Sequence, residues 1–127
     1  MPVKKAKKTV DPLLEAVKEA LLDKKAKEPV SLDFNKSGSS LCDYFIICHG
    51  TSSTQVTALA DGVMRDVKKK TGLNPYHREG FENAEWILID YGDIIVHIFQ
   101  ESKRNFYNLE QLWADAVMMK LDSAPEK

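Results

Sequence analysis

The segment WILIDYGDIIVHIF, residues 86–99, constrains the fold of this chain more than any other. Two apolar runs of strand-forming residues begin in this segment: 86–90, and 94–100, which ends one residue past it. Only a Tyr-Gly-Asp tripeptide separates them. A connection this short joins antiparallel strands in a hairpin. The sequence therefore predicts a sheet that contains a tight hairpin at this point.

The hairpin also carries polar residues inside its apolar runs. Because side chains alternate across a strand, Trp86, Leu88 and Asp90 are predicted to share one face of the first strand. Asp90 and Asp93 flank the turn, where aspartate favours local hydrogen bonds to the backbone. His97 has no serine or cysteine nucleophile motif beside it, so a structural histidine is favoured over a general base.

Apolar periodicity predicts the remaining elements. They are, in chain order, a helix from Asp11 and Pro12, a strand over 30–34, a strand over 44–48, a helix capped within 51–53 and closed at Thr71-Gly72, the hairpin, and a last helix starting near 102–105. The last helix is expected to bury Phe106, Leu109, Trp113, Ala116 and Val117. The order α-β-β-α-β-β-α predicts an α/β fold, a mixed sheet covered by helices.

Length and composition are those of one globular domain. The chain has 127 residues, of which 43% are hydrophobic, and we predict a single domain over 11–120. Residues 1–10 are predicted to form a disordered basic tail and residues 121–127 a frayed tail. The longest apolar run is shorter than the roughly 18 residues that span a bilayer.

The two cysteines point to the compartment. If the chain between Cys42 and Cys48 is one strand, they lie about 20 Å apart, which is too far for a disulfide bond. Unpaired thiols are typical of a reducing compartment, so a cytoplasmic location is expected. The basic N-terminus has no apolar stretch behind its lysines, so it is not predicted to be a secretory signal.

Charge is distributed unevenly along the chain. The net charge is −1, but the segment 79–115 carries eight acidic and two basic residues, a net charge of −6. Such a surface repels phosphate backbones and favours a basic protein as a partner. The alternative is that these acids serve only solubility.

Two other candidate sites are weaker. A metal-dependent nucleotidyltransferase-like enzyme needs a Gly-Ser turn and two carboxylates two residues apart on a strand. Gly38-Ser39 and Asp43 supply part of this pattern, but Phe45 occupies the second carboxylate position. Residues 49–53 precede a predicted helix, where an anion could bind; ordinary capping by a hydroxyl is favoured.

Three motifs together resemble the ribosomal silencing factor family, also called Iojap. They are CDYFIICHGTSSTQVTALAD at 42–61, EGFENAEWILIDYGDIIVHIF at 79–99 and RNFYNLEQLW at 104–113. The resemblance implies a nucleotidyltransferase-like fold without the catalytic carboxylates, no enzymatic activity and no cofactor or metal. It also implies binding to large-subunit ribosomal protein L-fourteen, which blocks subunit association and represses translation under nutrient limitation.

The resemblance further implies which residues bind the partner. The family's binding surface centres on residues that match Trp86 and Tyr107, with acids that match Glu79, Asp90 and Asp93 around them. If Trp86 is an interface anchor, we expect it to be partly exposed in the free protein. No DNA or membrane partner is implied, and the sequence is compatible with a homodimer of the free protein.

Overall fold

The computed structural model describes residues 2–35 and 42–122. Its elements are α1 (Pro2–Asp23), β1 (Lys27–Asp33), β2 (Tyr44–Gly50), α2 (Ser53–Thr71), β3 (His77–Glu79), β4 (Trp86–Asp90), β5 (Ile94–Gln100), α3 (Glu101–Tyr107), α4 (Leu109–Leu112) and β6 (Val117–Lys120). The strands form one sheet in the order β3-β4-β5-β2-β1-β6. Strands β2 and β5 are parallel, and the other neighbouring pairs are antiparallel. The mixed sheet with helices confirms the predicted fold class.

One face of the sheet is covered by α1 and α2. The helices contribute Leu13, Ala16, Val17, Ala20, Leu21, Val56, Leu59, Ala60, Val63 and Val67 to a buried core. The strands contribute Ile46, Cys48, Ile87, Ile89, Ile94, Val96 and Ile98. Burying each large aliphatic side chain stabilises the fold by roughly 1.5–3 kcal/mol, so this layer anchors the sheet.

The opposite face carries a second, smaller core. Its buried members are Val30, Leu32, Phe34, Phe45, Ile47, Phe99, Leu109 and Ala116. Trp86, Ile95 and Trp113 are partly buried against them. Strand β2 therefore has buried side chains on both faces, as its unbroken apolar run predicts. The alternation predicted for the hairpin is confirmed too, since Ile87 and Ile89 lie in the first core and Trp86 packs on the second.

Helix α2 begins and ends as its sequence predicts. The Ser52 hydroxyl caps it by accepting a hydrogen bond from the Gln55 backbone N–H at 3.1 Å. Gly72 closes it in the left-handed conformation, with φ of 78°. Three lysines, 68 to 70, lie in its last turn, where cations suit the helix dipole. Ser52 is therefore the hydroxyl within 51–53 that caps α2.

The predicted start of the first helix is wrong. Helix α1 begins at Pro2, so residues 2–10 are helical rather than a disordered tail, and Pro12 lies inside the helix instead of at its first turn. Four of these nine residues are lysines, which are strong helix formers. They extend the helix past Pro12, although its ring cannot donate a backbone hydrogen bond.

The prediction of one long last helix is also wrong. Asn108 adopts a left-handed conformation with φ of 49° and separates α3 from α4. Val117, predicted to be buried in that helix, instead begins β6, which pairs with β1. Strand β3 was likewise missed, because three residues are too few to show alternation. The buried Leu121 donates its backbone N–H to the Pro29 carbonyl at 2.8 Å, so the ordered fold reaches past the predicted end at 120.

Some predictions lie outside the described residues, namely the Gly38-Ser39 turn and the tail residues 123–127. Within 2–35 and 42–122, no helix is long and apolar enough to cross a membrane. Cys42 and Cys48 are both free thiols, as predicted from their separation. Burial raises the pKa of each to about 12.

Candidate functional site

An aromatic cluster forms where β4, β5 and α3 meet on the second face of the sheet. The Trp86 ring stacks on Phe99 with a centroid separation of 5.0 Å and contacts Tyr107 at 4.7 Å. Phe106 packs edge-on against Tyr107 at 5.1 Å. Tyr107 is 44% exposed and Phe106 is 77% exposed, whereas Trp86 is half-buried. The expected partial exposure of Trp86 is confirmed.

His97 packs against Trp86 and is hydrogen-bonded to it. The Trp86 Nε1–H donates a hydrogen bond to His97 Nδ1 at 3.0 Å. Because the indole nitrogen only donates, Nδ1 must be unprotonated and the imidazole neutral, with its proton on Nε2. Burial lowers the pKa of His97 to about 3, which agrees with that state. The ring also meets Phe45 edge to face at 4.4 Å. His97 is therefore a structural histidine, as the sequence favoured.

Two acidic residues share the face of the sheet that carries Trp86. Glu79 in β3 pairs with Leu88 in β4, so both side chains point to the same face as Trp86 and Asp90. Asp90 is half-buried, and its Oδ1 accepts a hydrogen bond from the Gly92 backbone N–H at 2.7 Å. This bond confirms the turn-shaping role that the sequence gave to Asp90. We call Glu79, Trp86, Leu88, Asp90 and Tyr107 the open-face site.

Asp93 lies at the margin of this site, across the hairpin turn from Asp90. It follows Asp90, which is already about 13 Å along the strand from Trp86. Its backbone carbonyl accepts from the N–H groups of Asp43 and Tyr44 at 2.9 and 3.1 Å. Burial, and then the nearby charge of Asp93, raise the pKa of Asp43. Asp93 therefore belongs to the start of β2 and not to the aromatic cluster.

A buried arginine holds the segment that carries Tyr107. Arg104 donates to the Glu110 carboxylate through Nη2 at 2.7 Å and through Nε at 3.2 Å. Its Nη1 reaches His49 Nδ1 at 2.9 Å and the Lys27 carbonyl at 3.3 Å. These bonds tie both sides of the Asn108 break to β1 and β2. We call Arg104, Glu110 and His49 the arginine clamp.

The clamp also defines the state of His49. Since a guanidinium cannot accept a hydrogen bond, His49 Nδ1 must accept one from Arg104. Burial, and then the charge of Arg104, lower the pKa of His49. The imidazole is therefore neutral and serves as an acceptor for the arginine.

The arrangement around Asp43 gives little support to metal chemistry. Phe45 is buried and packs edge to face with Phe34 at 4.8 Å, so its position offers no ligand. Among the residues that the structure describes, no group of three or more His, Cys, Asp or Glu side chains is placed to hold a metal ion.

Several members of the cluster were missed from sequence. Phe106 was predicted to be buried but is exposed beside Tyr107. Leu88 was placed on the correct face by alternation, yet no pattern linked Leu88 or Phe99 to Tyr107. Arg104 gave no signal either, because its partner His49 is 55 residues away in the chain.

Comparisons with known proteins agree with one another. A family model described as "Ribosomal silencing factor during starvation" matches residues 7–127. A Halalkalibacterium halodurans protein named ribosomal silencing factor RsfS is 43% identical over 110 residues, covering 87% of this chain and 92% of that protein. A mouse protein named mitochondrial assembly of ribosomal large subunit protein 1 is 33% identical over 73 residues, covering 56% of this chain and 32% of that protein. A Chromobacterium violaceum crystal structure covers 90% of this chain and 93% of its own, with a TM-score of 0.75 and 33% identity.

Proposed function

Because the chain belongs to the ribosomal silencing factor family, we propose that it binds the large ribosomal subunit and blocks its association with the small subunit. Fewer joined ribosomes would lower translation when nutrients are limiting. The name of the mouse relative, which refers to assembly of the ribosomal large subunit, supports that subunit as the target.

The partner in this proposal is ribosomal protein L-fourteen, bound through the open-face site. The supporting observation is the aromatic pair of Trp86 and Tyr107, which is partly exposed on a face that also carries Glu79 and Asp90. Aromatic anchors dominate binding energy at interface centres. Acidic neighbours favour a basic partner, and ribosomal proteins are generally basic. Asp93 would contribute only at the margin of this contact.

The proposal contains no chemical step and no cofactor. The family resemblance implies a nucleotidyltransferase-like fold; in this proposal the buried Phe45, which offers no carboxylate, leaves the chain to bind a partner without transferring a nucleotide. We propose that it acts in the cytoplasm, on ribosomes. A homodimer of the free protein would be compatible with this role if it opened, or left the open-face site free, on the ribosome.

Sedimentation with purified large subunits, small subunits and whole ribosomes tests the proposal. We expect the protein to sediment with large subunits only. Tyr107→Ala should weaken that binding by about 30-fold or more, the loss typical of an interface anchor. Met119→Ala is the matched control, since it removes an exposed apolar side chain from β6 at the far edge of the sheet. Binding to small subunits, or equal losses in both variants, would contradict the proposal.

A further inference from the structure

A second surface, at the β3 edge of the sheet, has a different chemical character from the open-face site. It is a pocket of about 670 Å³ between the C-terminal half of α2 and the segment that leads into β3. The residues that line it are Met64, Arg65, Lys68, Asn74, Pro75, Tyr76, His77 and Arg78. The open-face site uses none of them.

The pocket is basic although the chain as a whole is not. Arg65, Lys68 and Arg78 line it with three permanent positive charges, and no carboxylate is among its lining residues in the described part of the chain. The half-buried Asp66 lies 3.8 Å from the Arg65 Nε and offsets part of that one charge. The nearby Glu79 is hydrogen-bonded to His77, with 2.5 Å between Glu79 Oε2 and His77 Nε2. The pocket therefore keeps a net positive charge.

Within the described part of the chain, the guanidinium of Arg78 contacts a sulfur and an aromatic ring rather than a carboxylate. Its Nη1 contacts the Met64 sulfur at 3.7 Å, and its Cζ lies 5.4 Å from the centre of the Phe81 ring. Such soft contacts fix the position of an arginine but leave most of its five donors for a ligand. Planar arginine donors suit phosphate oxygens in particular.

One of the residues that line the pocket is an exposed tyrosine, Tyr76. Tyr76 is 84% exposed, yet its backbone N–H donates to the Asp90 carbonyl at 2.8 Å. Its ring lies over Gly92, where an added Cβ would come within 2.9 Å of the Tyr76 Cε2. The ring is thus positioned by the hairpin turn and still accessible. An accessible ring beside several cations is the arrangement with which proteins bind single-stranded nucleic acid.

We propose that this pocket binds an unpaired segment of RNA. Arg65, Lys68 and Arg78 contact phosphates, a base stacks on Tyr76, and the Asn74 amide is available for a base edge. The choice of RNA over other polyanions rests on the proposed function, because a large ribosomal subunit consists mainly of RNA. The exposed aromatic ring separates this ligand from an acidic peptide, for which the cations alone would suffice.

The two surfaces meet along β3 and β4, where neighbouring residues point to opposite sides of the sheet. Arg78 pairs with Ile89, whose side chain lies in the core beneath α1 and α2, while the next residue, Glu79, pairs with Leu88 on the open face. One edge of the sheet therefore presents acids to a basic protein on one side and cations to RNA on the other.

Fluorescence anisotropy with a labelled single-stranded 12-nucleotide RNA tests the inference. We expect saturable binding. A plot of the logarithm of the association constant against the logarithm of the salt concentration should have a slope of about −2, as three phosphate contacts on a single strand imply. Arg65→Glu with Arg78→Glu should weaken binding by more than about 10-fold and flatten that slope. Tyr76→Ala should weaken it by about 5- to 150-fold through lost stacking.

The matched control is Lys27→Glu with Lys120→Glu, which makes the same charge change at exposed positions on β1 and β6. No binding by the wild-type protein, or equal losses in the pocket and control variants, would overturn the inference. Displacement of the RNA by an oligoglutamate peptide at matched concentration would assign the pocket to an acidic protein instead. Because the probe is free RNA, these outcomes are independent of sedimentation with large subunits, whose failure would contradict the proposed function alone.

Discussion

Replacing Arg104 by methionine should both destabilise the protein and disturb the open-face site. The Arg104 side chain is only 7% exposed, and its partner Glu110 is 24% exposed. Methionine fills much of the same volume but donates no hydrogen bond. The change leaves the Glu110 carboxylate and His49 Nδ1 without their donor.

The size of the effect follows from this burial. Removing one partner of a buried ion pair costs about 3–5 kcal/mol. Because Glu110 retains contact with water, we expect the lower end, about 3 kcal/mol. For a chain of this length that corresponds to a fall of about 10 °C in the thermal midpoint. Adding Glu110→Leu should restore part of the loss, since the uncompensated carboxylate is then removed.

The affinity of Arg104→Met for the large subunit should fall by more than its loss of folding stability explains. Arg104 joins α3 to the residue beyond the Asn108 break, so its loss frees the turn that presents Tyr107 to Trp86. Circular dichroism melts of the single and double variants, with large-subunit sedimentation well below the midpoint, measure both effects. An Arg104→Met protein that melts within about 2 °C of the wild type, or binds equally well once folded, would show that the arginine clamp does not hold the segment that carries Tyr107.

Three further changes have distinct signatures. In urea melts, the free energy of unfolding of the wild type should fall by about 1.4 kcal/mol per pH unit between pH 6.5 and 3, because His97 has a folded pKa of about 3 and the unfolded chain binds the proton first. His97→Asn keeps an acceptor for Trp86 and should remove most of that slope; an unchanged slope would contradict this prediction. Trp86→Phe should cost about 1–3 kcal/mol in the same melts, because the buried His97 Nδ1 loses its donor, and no loss would mean that the bond is unimportant. Gly92→Ala should lower the thermal midpoint, because Gly92 has φ of 91° and the added methyl meets Tyr76; an unchanged midpoint would show that the turn relaxes freely.

Local features of the fold were predictable from the sequence, and non-local ones were not. The hairpin and the ends of α2 follow from short-range patterns, namely alternation, the Ser52 cap and Gly72. The pairing of β6 with β1 depends on residues more than 80 positions apart, and no periodicity in four residues reports it. The break at Asn108 was equally hidden, since asparagine tolerates a left-handed conformation but seldom requires one.

Part of the candidate site was likewise predictable from the sequence, and part was not. Alternation placed Trp86 and Asp90 on one face, and the structure agrees. That Glu79 shares this face depends on the missed strand β3. That Tyr107 reaches Trp86 depends on the arginine clamp, whose members come from distant parts of the chain. The functional importance of both aromatic residues came from the family resemblance, not from any pattern in the residues.

In the proposed function, the protein keeps ribosomal subunits apart through its open-face site. The most direct measurement is the association of purified large and small subunits, followed by light scattering or by gradient profiles with increasing protein. We expect the wild-type protein to suppress association in proportion to large-subunit occupancy, and Tyr107→Ala to require a concentration at least about 30-fold higher. Normal association of large subunits that are saturated with the wild-type protein would contradict the proposed function.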